Sequence, residues 1–172
     1  MLSKPRFESY EADMPLWRLR TAEVFVVTSL RLWNTGDFDA ATEEPQWRLA
    51  FRRARIELRG ALAFDQFCRM LVIAATRSIQ VRTRGCCALS RDEALLLHVL
   101  SQLQVGRPWY AAAALAQFCT PLAARLTLTP GHTLAVTLAA RGLWLPERGV
   151  SSHRDESQED LQSSLTEPAR VH

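Results

Sequence analysis

Helical periodicity runs through the apolar part of this chain and breaks most sharply between Ile79 and Glu93. That stretch reads Ile-Gln-Val-Arg-Thr-Arg-Gly-Cys-Cys-Ala-Leu-Ser-Arg-Asp-Glu. Ile79, Val81 and Thr83 alternate with polar residues, a period of two that fits extended backbone. Strand amides need partners, and no second convincing strand pattern lies elsewhere in the chain. The segment near 79–84 is therefore expected to be irregular or only weakly paired. Its far end is sharply defined. Ser90 and Glu93 have the spacing of a capping box, in which the serine hydroxyl accepts the N–H of Glu93 and the glutamate accepts the N–H of Ser90. The segment separates two groups of helices and sets how they face each other.

On its N-terminal side, Pro15 suits the first turn of a helix that carries Leu16, Leu19, Val24, Val27 and Leu30 and stops near Asn34 to Gly36. Thr42-Glu43-Glu44-Pro45 reads as a second start, with Thr42 as cap and two acids in the positive first turn. A periodic stretch then runs to about Arg77, as one continuous or slightly broken helix whose weak point is Gly60. On the C-terminal side, Leu95, Leu96, Val99, Leu100 and Leu103 form the apolar face of a helix closed by Gly106. Pro108 opens an alanine-rich helix to 127, ended or kinked at Pro121, and Thr129-Pro130 restarts the chain into a last helix that stops at Gly142. Leu143, Trp144 and Leu145 are expected to fold back on the body. The prediction is an all-α fold: a single compact bundle of about five helices over residues 14–146. It is preceded by a flexible N-terminus, 1–13, and followed by an acidic, disordered tail, 147–172, with Leu161 and Leu165 as its main apolar anchors.

Composition bounds the function classes. An apolar content of 48% over 172 residues supports a proper core and argues against a disordered chain. No apolar run approaches the ~18 residues of a membrane helix, and the charged N-terminus does not resemble a signal peptide. A cytoplasmic protein with reduced thiols is expected. No nucleotide-binding loop, nucleophile elbow or zinc-protease motif is present, so the expectation is a protein that is not an enzyme and has no cofactor. Asp92-Glu93 resembles a carboxylate pair, but capping accounts for it. His98 sits among leucines and reads as a satisfied core side chain. Trp17, Trp33, Trp47, Trp109 and Trp144 fall near helix ends, a placement that suits packing better than base stacking.

Two constellations remain. Arg48, Arg52, Arg55 and Arg59 fall within a sector of about 60° on one helix face. Like charges at this spacing repel unless anions or carboxylates sit between them. The stripe is either a solvated face with partners such as Asp37, Asp39, Glu43 or Glu44, or a binding face for an acidic protein, an anionic ligand or nucleic acid. Arginine outnumbers lysine 20 to one, and codon bias accounts for that as readily as function does. The charge is uneven: +6 over residues 1–146 and −3 from Glu147 onward. Cys86-Cys87 is the second constellation. The pair lacks the C-x-x-C spacing of a structural zinc site, so no metal is assigned; small core residues in a tight turn are the simpler reading, with a reactive thiol or metal site as the alternative.

From Arg77 to Leu97 the chain resembles an uncharacterised family of small helical bacterial proteins. The matching elements are Arg77-Ser78-Ile79-Gln80, then Cys86-Cys87, then Leu89-Ser90-Arg91-Asp92-Glu93-Ala94-Leu95-Leu96-Leu97. The resemblance implies a helical fold and no particular chemistry. The resulting expectation is an interaction or regulatory protein working through the Arg48–Arg59 face. Nucleic-acid binding by that face is the main alternative, and the oligomeric state stays open.

Overall fold

Helix α4 (Arg91–Gln104) is buried on nearly every side: Ala94 to Leu97, Val99, Leu100 and Leu103 are covered, and so are the polar Asp92, Glu93, Ser101 and Gln102. A helix covered on nearly all its faces belongs in the middle of a core. Three helices pack on it, α1 (Thr21–Thr35), α5 (Pro108–Leu115) and α6 (Pro121–Ala140), while α3 (Leu58–Ala74) packs on α6 and α2 (Gln46–Arg53) lies against α1 and α3. The structure, a computed structural model, describes residues 9–150. The fold is mostly α, with six helices among the described residues. A parallel pair of two-residue strands, β1 (Ser9–Tyr10) and β2 (Gly149–Val150), joins the two ends of the described chain.

Close helix packing depends on two glycines. A Cβ at Gly60 of α3 would lie 2.6 Å from Thr137 Oγ1 and 2.7 Å from Ile56 Cγ2. One at Gly131 of α6 would lie 3.0 Å from Leu103 Cδ1 and 3.1 Å from Phe67 Cε2. Beneath α2, four rings interlock: Phe51 sits 5.2 Å from Phe25, 6.0 Å from Trp47 and 4.9 Å from Phe64 between ring centroids. These tilted and edge-on arrangements are the ones aromatic quadrupoles favour.

Several boundaries differ from the sequence expectation. The first helix begins at Thr21, and Pro15 instead precedes a short 3-10 turn, Leu16–Arg18. It ends as expected, with Gly36 in the left-handed region at φ 68°. Thr42 does not cap α2. Glu43 is left-handed at φ 55°, and the Asp39 carboxylate takes the amides of Ala41 and Thr42, so this stretch is a turn. The long second helix is two helices. It breaks at Arg55, φ 56°, and Gly60 lies inside α3, where the missing Cβ makes room for Thr137.

Pro121 starts α6 instead of kinking a longer α5, with Thr120 as its cap. Pro130 does not restart the chain but lies inside α6. Its lost hydrogen bond is tolerated because Pro130 and Gly131 are both buried in helix packing, which outweighs local helix preference. Leu145 folds back as expected, its N–H donating to Gln104 Oε1 at 2.8 Å, while Trp144 stays exposed.

The strand pair places residues 9–13 and 147–150 against the body, inside the segments the sequence assigned to flexible ends. The Tyr10 hydroxyl donates to Glu23 Oε1 at 2.7 Å, and Arg148 Nε lies 3.3 Å from the same oxygen. Burial, then the Glu23 charge and hydrogen bond, push the Tyr10 hydroxyl far above its ordinary range. His98 is satisfied as expected, with Nδ1 2.9 Å from the Arg148 carbonyl. The expectations for Leu161, Leu165 and the remaining ends lie outside the described residues.

Candidate functional site

The 79–90 segment joins no sheet, but its end makes an antiparallel bridge to residues 14–16, with the Leu16 amide donating to the Cys87 carbonyl and the Leu89 amide to that of Met14, both at 2.8 Å. The amides nearer its start are taken by the first turn of α4. Arg31 projects from α1 and is 2% exposed; Glu93 is fully buried. Arg31 Nε donates to Glu93 Oε1 at 2.7 Å and its NH2 to Glu93 Oε2 at 2.9 Å. The rest of the guanidinium donates to the carbonyls of Cys86 and Ala88. Glu93 also accepts the amide of Ser90 at 2.8 Å and that of Arg82 at 3.2 Å, while Ser90 Oγ caps the Glu93 amide. The capping box is therefore present, and its glutamate serves as the buried anchor of the whole segment.

Asp92, beside it, does the same for the segment's start. Arg77 donates to both its oxygens at 2.7 Å, and the Gln80 amide donates at 2.7 Å. Burial raises the Asp92 carboxyl, but these donors and the nearby Arg91 outweigh it and hold the group below its ordinary value. The fixed segment forms a wall shared by two clefts. One, of about 500 Å³, is lined by Arg77, Gln80, Arg82, Arg91 and Asp92. The other, of about 430 Å³, is more apolar and runs between α1 and α3, lined by Leu30, Trp33, Leu71, Val72 and Ile79.

A third cleft, of about 440 Å³, shares Trp33 and Val72 with the second and lies between α3 and the 36–45 loop. Phe38, Val72 and Ile73 line it and are 63%, 62% and 85% exposed. Arg48 and Arg69 also line it. Asp65 holds the wall together, accepting from Trp33 Nε1 at 2.8 Å and from Arg69 Nε at 2.8 Å.

The Arg48–Arg59 stripe is not one helix face. Arg48 and Arg52 are on α2, Arg55 is in the left-handed turn, and Arg59 is on α3. The guanidinium of Arg48 lies 5.5 Å from the Trp47 ring centroid. Arg52 pairs with Glu44 at 2.9 Å. Other arginines are also internally paired: Arg77 with Asp92, Arg82 with Asp13, Arg84 with Asp37 and Arg107 with Glu147. Much of the basic charge visible in the sequence is thus neutralised locally.

The cysteines separate in the same way. Cys87 is exposed and Cys86 half-buried, so they are not small core residues; a turn held by Arg31 through its carbonyls leaves the side chains outside. Cys68 and Cys119 are the buried thiols, and burial pushes both above the ordinary thiol range. Among the described residues, no group of three or more His, Cys, Asp or Glu side chains is placed to hold a metal ion, and no helix is long and apolar enough to cross a membrane.

Arg31 and Arg77 did not stand out in the sequence, although Arg31 carried a signal. It sits one residue after Leu30 on the apolar stripe of α1, where a charge needs a buried partner. Phe38, Val72 and Ile73 carried no signal, because periodicity marks apolar positions without saying which stay uncovered. Comparison with family models, with curated proteins and with solved structures gave no match.

Proposed function

We propose that this is a cytoplasmic interaction or regulatory protein, without catalytic activity, that docks a partner protein in the cleft between α3 and the 36–45 loop. The reading rests on one observation: Phe38, Val72 and Ile73 are all mostly exposed around a single concavity. Isolated apolar side chains on a surface are ordinary, but several around one hollow with arginines among its walls have the make-up of a binding centre and its polar rim. Of the four arginines Arg48, Arg52, Arg55 and Arg59, Arg48 alone lines this cleft. The chemistry suits an amphipathic segment that presents apolar side chains flanked by acids.

The test is capture of partners by the full chain at cell-like salt, followed by titration of the purified partner against Ile73→Asp. Both residues being exposed, Ile73→Asp and Val72→Asp should keep the wild-type circular dichroism spectrum and weaken binding at least about tenfold. Unchanged affinity in both variants would remove this surface from consideration.

A further inference from the structure

We infer that residues 155–167 of the chain itself occupy the cleft lined by Phe38, Val72 and Ile73 and compete there with the partner. The inference rests on the reading of that cleft as a docking surface. Charge is the first argument. Residues 151–172 carry −3 and residues 1–8 carry +1, which leaves +5 on residues 9–150 out of the chain's +3. Four of the tail's acids, Asp155, Glu156, Glu159 and Asp160, immediately precede Leu161 and Leu165. Leucines four apart share one face of a helix, the spacing with which amphipathic segments fill apolar grooves.

The cleft offers a complementary wall. Arg48 lines it, and its Nε is buried with no hydrogen-bond partner among the described residues. A carboxylate beside the apolar anchors can pair with the outer part of this half-buried guanidinium. Reach is the third argument. Val150 pairs with the backbone beside Tyr10, whose hydroxyl meets Glu23 in the first turn of α1. Trp33, in the cleft wall, is ten residues along the same helix from Glu23, about 15 Å. The eleven residues from 151 to 161 span up to about 36 Å when extended, more than twice that length of helix. Tethering raises the effective concentration of such a segment to about the millimolar range, which makes even a weak site competitive.

The test uses the full chain with p-benzoylphenylalanine in place of Ile73, irradiated and mapped by mass spectrometry. Cross-links to peptides within residues 155–167 of the same chain are expected. Leu161→Ser with Leu165→Ser should cut their yield several-fold and raise binding of an apolar dye. With the partner in hand, the same double variant should bind it several-fold more tightly. Cross-links that join two copies, shown by mixing isotope-labelled and unlabelled protein, overturn the inference, as does an absence of cross-links to 155–167. If that happens while Ile73→Asp still abolishes partner binding, the docking surface stands and its occupation by the tail falls.

Discussion

Replacing Arg31 with alanine removes the cation that pairs with Glu93 inside the core. The carboxylate is fully buried, and the carbonyls of Cys86 and Ala88 lose their donor at the same time. Removing one partner of a buried ion pair costs about 3–5 kcal/mol, mainly because the other charge is left uncompensated. For a domain of this size each kcal/mol moves the melting midpoint by about 2–4 °C, so Arg31→Ala is expected to lower it by about 6–20 °C. Urea unfolding followed by far-ultraviolet circular dichroism gives the free energy directly, with an unchanged m-value showing that the same surface is exposed. Arg69→Ala, which breaks a surface pair with Asp65, serves as control and should leave the midpoint unchanged. Arg31→Met with Glu93→Met should recover much of the loss, since apolar replacement of both partners removes the buried charge. Recovery stays incomplete because the amides of Ser90 and Arg82 also lose their acceptor. A loss below about 1 kcal/mol for Arg31→Ala would refute the buried pair as the anchor of the segment.

Gly60→Ala should destabilise the fold by about 1–3 kcal/mol, although alanine is the better helix former, because its Cβ meets Thr137 and Ile56 below 3 Å; a melt showing stabilisation would contradict the packing. Asp92 is held below its ordinary 3.8 in the folded state, so its contribution to stability is present above 3.8 and is lost as the pH falls below that value through the folded one. Asp92→Asn should therefore lose stability at neutral pH and show a flatter decline in acid than the wild type, read from urea midpoints across that window. Thiol labelling of the native protein should modify Cys87 readily and leave Cys68 and Cys119 unmodified until the protein unfolds; fast labelling of Cys68 would contradict the packing of α3.

The sequence made the helical class readable, along with the break near Ile79, the Ser90–Glu93 box and the stops at Gly36, Gly106 and Gly142. Each of these rests on local chemistry: a cap, a left-handed glycine or a run of one period. Errors arose where tertiary packing overrode that chemistry. Pro130 stayed helical in a buried seam, and Gly60 serves close packing against α6 inside α3 while the break falls at Arg55. The arginine stripe failed for the same reason, since helical spacing means nothing once the helix divides. The candidate site was the least legible part. Arg31 and Glu93 are 62 residues apart and Phe38 and Ile73 are 35, and no local pattern joins residues so far apart.

The extended segment has no sheet to join, and its first half is nonetheless fixed because two carboxylates at the start of α4 accept the Gln80 and Arg82 amides. Hydrogen exchange of the native full chain, resolved at single amides, tests this most directly. The amides of Gln80 and Arg82, bonded to Asp92 and Glu93, should exchange about as slowly as those in the middle of α4. Exchange of both at the rate of a solvent-exposed loop would contradict it.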